Sequence, residues 1–232
     1  MIQRIERQFA GRPLSLEFGR MARLAQGSCL VQYGDTVVLC AATVQDSPSH
    51  LPFFPLTIEF QEKSYAAGKI PGGFFKREGR PSENAILSAR MTDRPIRPLF
   101  PTGFQHETQV ACFILSADQE NDADVLAMLG ASVALNMSKI PFNTTVASVR
   151  VGRIKDTWVL NPTFQQLEYS DVDIVVAGSA EAITMVEGGA LEVPESEVLE
   201  ALEVAHAGIK ELCAFQDELL EGHRVPDMEW TS

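Results

Sequence analysis

No apolar run in the chain approaches the roughly 20 residues that a bilayer-spanning helix needs. The longest candidates are strand-length pieces such as residues 36–42, so the chain is not expected to cross a membrane. The start, Met1-Ile2-Gln3-Arg4-Ile5-Glu6, has neither an apolar signal core nor an Arg/Ser-rich, acid-poor transit character, which makes the cytoplasm the expected location. Cysteine is scarce. Cys29, Cys40, Cys112 and Cys213 show no Cys-x-x-Cys spacing, which favours reduced core thiols over a disulfide frame or a zinc site. His50, His106, His206 and His223 are scattered singly, without ligand-like spacing, and read as surface or packing residues. There is no internal repeat and no low-complexity tract.

What remains is ordinary globular composition: 45% hydrophobic and 22% charged over 232 residues, enough for one compact unit with two lobes. The formal net charge of −12 would normally count against nucleic acid. Its distribution matters more than its sum. Between Lys63 and Arg97 there are eight basic and three acidic residues, so this stretch carries +5 and the remainder −17. One basic path in an acidic body focuses a polyanion along that path and repels it elsewhere.

Alternating runs at residues 14–18, 28–33 and 36–43, with a hairpin signal at Gly34-Asp35, and a further run at 55–60 predict a mostly antiparallel opening sheet. Residues 65–81 hold too many Gly and Pro for a regular element and read as a loop. Ser82 then caps a helix that is expected to end near Asp93, ahead of Pro95 and Pro98. A strand at 109–116 leads to a helix capped by Asn121 or Asp122 and running to about Met137. Its Ala127, Gly130, Ala131 and Ala134 suit tight packing on a sheet. Runs at 146–151, 158–160, 173–178 and 183–187 predict a second small sheet, and apolar spacing predicts a long helix over 195–220. The tail at 222–230 closes nothing and reads as a linker, and the chain looks cut.

Phe74-Phe75-Lys76-Arg77 is the sharpest local feature, because two aromatic rings in a Gly-flanked loop need something to cover them. Bases of a single strand stack on such rings at about 1–3 kcal/mol each, while Lys69, Lys76, Arg77 and Arg80 neutralise phosphates. The competing reading packs the rings under the loop or against a subunit. Arg90, Arg94 and Arg97 form a second group, in Arg-Met-Thr-Asp-Arg-Pro-Ile-Arg-Pro. Guanidinium forks on a proline-stiffened backbone suit phosphate. The alternative is ion pairing with Asp93, Glu78 or Glu83, with Arg90 at the helix C-terminus.

Residues 68–83 (Gly-Lys-Ile-Pro-Gly-Gly-Phe-Phe-Lys-Arg-Glu-Gly-Arg-Pro-Ser-Glu) and 93–101 (Asp-Arg-Pro-Ile-Arg-Pro-Leu-Phe-Pro) closely resemble the first ribonuclease PH-type core of the bacterial polynucleotide phosphorylases. Further matches lie at 33–36, 130–132, 140–143, 160–163 and 176–178, so the resemblance extends to about Leu220. It implies an α/β (α+β) ribonuclease PH-type core (ribosomal protein S5 domain 2-like), with two small sheets and packed helices. Residues 1–145 would be its N-terminal lobe (exoribonuclease phosphorolytic domain 1) and 146–222 its C-terminal lobe (domain 2), with 223–232 opening a linker to a helical domain. It also implies phosphorolysis of RNA from the 3′ end with inorganic phosphate as co-substrate, giving nucleoside diphosphates. The implied assembly is a homotrimeric ring of longer chains with a second core and KH and OB-fold modules, with a possible place in an RNA-degradation complex. Carried onto this sequence, Phe74 and Phe75 would form the channel constriction, with Lys76 and Arg77 beside it, and Arg80, Arg90, Arg94 and Arg97 would face RNA or phosphate.

The catalytic core of that family has a serine-rich phosphate loop before its central helix and an Asp-x-Lys before its Val-Ala-Gly strand. Here those places read Asp118-Gln119-Glu120-Asn121-Asp122-Ala123-Asp124 and Asp173-Ile174-Val175. The carboxylates repel phosphate and suit helix capping, and the lysine is missing. Asp171 and Asp173 read as solvated surface acids, with no more than weak attraction for Mg²⁺. No catalytic residue and no metal ligand is therefore expected in this chain; Mg²⁺ would be held by the second core. The chain alone is expected to be inactive. The rivals are a pure assembly module without RNA contact and an independently active ribonuclease.

Overall fold

A computed structural model describes residues 2–77 and 79–230, and at Phe75 and Lys76 the backbone alone. Strands β1 (Gln3–Phe9), β2 (Arg12–Phe18), β3 (Gly27–Tyr33), β4 (Thr36–Pro48), β5 (Leu56–Glu62) and β6 (His106–Ser116) form one sheet in the order β1-β2-β3-β4-β6-β5. All neighbours are antiparallel except β5 and β6, which run parallel. The Gly34-Asp35 turn joins the paired Tyr33 and Thr36, and Gly34 takes the left-handed φ of 58° that glycine adopts without penalty. Strand β1 was not expected. Its Gln-Arg-Ile-Glu-Arg-Gln run lies at the sheet edge, where neither face is fully buried and no apolar alternation is required.

The basic loop is more ordered than its Gly and Pro content suggests. A 3₁₀ turn covers Ser64–Ala67, and α1 (Phe74–Arg77) makes one helical turn out of four consecutive residues that are neither Gly nor Pro. Helix α2 (Glu83–Ile96) starts on Ser82, whose hydroxyl accepts from the Ala85 amide at 3.1 Å. It does not stop at Asp93. Pro95 falls in the last turn, the Arg97 amide still donates to the Asp93 carbonyl, and Pro98 opens a 3₁₀ turn (Arg97–Leu99), where a missing N–H costs little.

Helix α3 (Ala123–Asn136) is the central element, buried from residue 124 to 136. One side packs on β3 and β4, and another on β7 (Ala147–Ile154). The first contact is backbone-close. A Cβ on Gly27 would sit 1.9 Å from the Ala134 carbonyl oxygen, and one on Gly130 would meet Cys40 Sγ at 2.6 Å. All four cysteines are buried thiols.

With β8 (Thr157–Leu160), β9 (Val172–Gly178) and β10 (Ile183–Ala190), β7 forms a second, antiparallel sheet in the order β10-β9-β7-β8. The short α4 (Phe164–Leu167) was missed, although Thr163 and Gln166 form a complete capping box. Helix α5 (Glu195–Leu220) packs on this sheet through Ala205, Ile209 and Leu212 and reaches back to β1. The tail, expected to be a linker, is docked on the body. The Met228 amide donates to the Lys139 carbonyl at 2.7 Å, Asn143 Nδ2 donates to Asp227, and the Trp230 ring meets Phe104 edge-on. An apolar residue at 228 and at 230 supplied that anchor. Among the described residues no helix is long and apolar enough to cross a membrane.

Candidate nucleic-acid interface

The basic stretch leaves β5, returns to the body where the Ala117 amide donates to the Ala66 carbonyl, and then runs out through α1 to α2. Lys69, Arg77 and Arg80 are exposed, and Ile70 is almost completely so. Phe74 remains 66% exposed, so it is not sealed beneath the loop. The side chains of Phe75 and Lys76, both expected at this interface, lie outside the described residues.

The three arginines of the second group separate. Arg90 and Arg94 are exposed one helical turn apart on α2. Arg94 Nη1 donates to Glu187 of β10 at 2.9 Å, but both side chains are about half exposed, and such a pair contributes little in water. Arg97 turns inward. Its Nη1 and Nη2 donate to the Phe54 and Leu56 carbonyls at 3.0 Å, and it also pairs with Asp93, so this guanidinium fastens the start of β5 to the end of α2.

The acidic stretch before α3 is used up by the backbone. Asp118 accepts from the Glu120 and Asn121 amides, each at 2.8 Å. Burial works against its charge, but these bonds and those from the Asn121 side chain and Thr36 outweigh it, and the Asp118 carboxyl falls below the ordinary carboxylate range. Asp122 caps the helix by accepting from the Asp124 amide. Arg12 donates to the Asn121 side chain and lies over the Tyr33 ring. The Glu120, Asn121, Asp124 and Val125 amides around this helix start are thus already bonded to carboxylates.

Asp171 and Asp173 are partly exposed, as expected of surface acids, but each is paired with an arginine. Asp171 receives the forked guanidinium of Arg153, which draws its carboxyl down, and Asp173 Oδ1 accepts from Arg150 Nη1 at 2.6 Å. Arg150 also donates to Asp122 and Asp124, so one guanidinium fills the space between the acidic helix start and the Asp173 strand. Sequence reasoning missed both arginines; the signal was Arg150 set between the buried Val149 and Val151. Among the described residues no group of three or more His, Cys, Asp or Glu side chains is arranged to hold a metal ion. With Arg150 and Arg153 occupying the carboxylates, the residues present do not fit Mg²⁺.

Residues 10–141 match the 3′ exoribonuclease family, domain 1, and residues 144–208 match its domain 2. The chain is 63% identical over 229 residues to a polyribonucleotide nucleotidyltransferase of Gemmatimonas aurantiaca, covering 99% of this chain and 31% of the relative. It is 54% identical over 228 residues to one of Thermus thermophilus, covering 98% and 32%. A third, from Exiguobacterium sibiricum, is 52% identical over 218 residues, covering 94% and 30%. The chain spans about a third of the length of the curated relatives it matches.

Proposed function

Because the chain belongs to the 3′ exoribonuclease family, we propose that it is the first core of a polyribonucleotide nucleotidyltransferase and guides single-stranded RNA toward chemistry performed by another part of the longer protein. The observation that carries this reading is the contrast between two places. Arg77, Arg80, Arg90 and Arg94 stand exposed on one continuous stretch beside the exposed Phe74 ring. Meanwhile the helix start that would seat phosphate is closed by Asp118, Asp122, Asp124 and Arg150.

Phosphorolysis requires inorganic phosphate to attack the terminal phosphodiester in line, with cationic groups spreading the developing charge. A helix start saturated with carboxylates repels that anion. What these residues can do is hold the strand: arginine forks on phosphate oxygens, with bases stacked on the Phe74 ring. Mg²⁺ and the attacking phosphate belong to the second core of the longer protein in this proposal. Assembly of three chains into a ring, action in the cytoplasm and the division into lobes at 1–145 and 146–222 are parts of the same reading.

Two measurements on this chain test it. Poly(A) should bind with an affinity that falls steeply with salt, and a Phe74→Ala/Phe75→Ala variant should bind distinctly more weakly. RNA and phosphate together should yield no nucleoside diphosphates from this chain alone. Unchanged binding by the double variant would favour an assembly role without RNA contact, and diphosphate release would place the chemistry here.

A further inference from the structure

Three carboxylates from two elements converge on one guanidinium. Arg150 of β7 donates through Nη2 to Asp124 at 2.8 Å and to Asp122 at 3.0 Å, and through Nη1 to Asp173 of β9 at 2.6 Å. Asp122 and Asp124 belong to the start of α3, so this cluster ties the central helix to the second sheet. Its charges do not balance. Asp173 is half exposed and keeps much of its hydration, but Asp124 is only 5% exposed. The guanidinium offers Asp124 no further help, because its Nη2 is shared with Asp122 and its buried Nε points at no acceptor among the described residues. Two carboxylates gathered at one nitrogen repel each other, and burial strengthens the repulsion.

We infer that this cluster is a proton-linked joint: a proton held between Asp124 and Asp122 keeps α3 docked on the second sheet, and its loss as the solution passes from mildly acid to neutral weakens the docking. Solvent supplies the proton and takes it back; no other bond changes. With the proton bound, Asp124 is a neutral carboxyl hydrogen-bonded to the Asp122 carboxylate, and two negative charges face Arg150. Without it, three do.

The surroundings favour the proton. Burial, reinforced by the charge on Asp122, lifts the Asp124 carboxyl to about 7 against the pull of Arg150 and of the Val125 amide, which donates to it at 2.5 Å. The other charged groups nearby are satisfied by their own partners. Asp171 of β9 is held by Arg153, and Glu187 of β10, across a cavity of about 550 Å³ that Asp124 also lines, is held by Arg94 of α2. On the β2 side, Arg12 is bonded to Asn121. Because the docked state binds this proton more tightly than an exposed aspartate does, the stabilisation is complete below the ordinary aspartate value of 3.8, is lost progressively as pH rises, and is gone above about 7.

Neither Asp124 nor Arg150 is among the residues proposed to face RNA, so the test requires no RNA and its outcome is separate from that reading. Thermal unfolding of the whole chain, followed from pH 5.5 to 8.5, should show Tm falling as pH rises to about 7 and levelling off above it. In Asp124→Asn, whose side chain stays neutral, Tm should stay level over the same range and match or exceed that of the unaltered chain at pH 8.5. Carbon-13 NMR of the aspartate carboxyls in the unaltered chain should show one group titrating near neutrality, which keeps the idea testable even if the variant folds poorly. An Asp124→Asn variant that keeps the full fall in Tm between pH 5.5 and 7 would overturn the inference. So would a spectrum in which every aspartate titrates below pH 5.

Discussion

Arg97 grips the carboxylate of Asp93, four residues back, with Nε on one oxygen at 2.9 Å and Nη2 on the other at 2.7 Å. The same guanidinium reaches the Phe54 and Leu56 carbonyls, so it makes a four-bonded fastening that a lysine, with one point charge, does not reproduce. Arg97→Ala should destabilise the chain by about 1–3 kcal/mol, since hydrogen bonds to charged groups contribute at that level. Arg97→Lys should recover little of the loss, and urea unfolding of the three proteins measures it. Arg90→Ala and Arg94→Ala, at exposed positions, should stay within about 0.5 kcal/mol of the unaltered chain.

Arg94 should show its worth in binding instead. If Arg77, Arg80, Arg90 and Arg94 each neutralise one phosphate, the logarithm of poly(A) affinity should fall against the logarithm of salt with a slope of about −3, because each single-strand contact contributes about −0.7. Arg94→Ala should bring the slope to about −2. A slope that does not change on this substitution removes Arg94 from the interface.

Glu187 competes with RNA for Arg94, its partner at 2.9 Å. Glu187→Gln should therefore strengthen poly(A) binding, by no more than about fivefold, since exposed pairs of this kind are worth about 0.2–1 kcal/mol. Fluorescence anisotropy at low salt resolves such a change. Weaker binding would mean that the pair holds Arg94 in its productive position.

The tail gives a stability prediction. The Trp230 and Phe104 ring centroids lie 5.5 Å apart at 89°, and aromatic pairs contribute about 0.5–1.5 kcal/mol beyond their burial. Trp230→Ala should lower stability by about 1–2 kcal/mol on that scale. It should also speed tryptic cleavage after Arg224. Cleavage at the unaltered rate would show that the tail is held by the Met228 and Asp227 bonds alone.

Features decided by near neighbours in the chain were legible beforehand. The Gly34-Asp35 hairpin, the Ser82 cap, the acidic capping before α3 and the full span of α5 each follow from residues a few positions apart. Arg150 was not legible, because its partners stand at 122, 124 and 173 and only the packing of α3 on β7 brings them together. The arginines of α2 show the same limit. Residues 90, 94 and 97 look alike in sequence, yet the turn after Ile96 sends Arg97 inward while Arg90 and Arg94 stay outside. Pro95 misled the helix boundary because its position in the last turn, rather than its identity, set its cost.

Helix α3 sits inside one continuous hydrophobic core, with β3 and β4 on one flank and β7 on another. Neither flank can be uncovered by itself without stripping the other of its filling. The folded body accordingly has no seam along which it could come apart in stages, and calorimetry should record one melting event, with calorimetric and van't Hoff enthalpies in agreement.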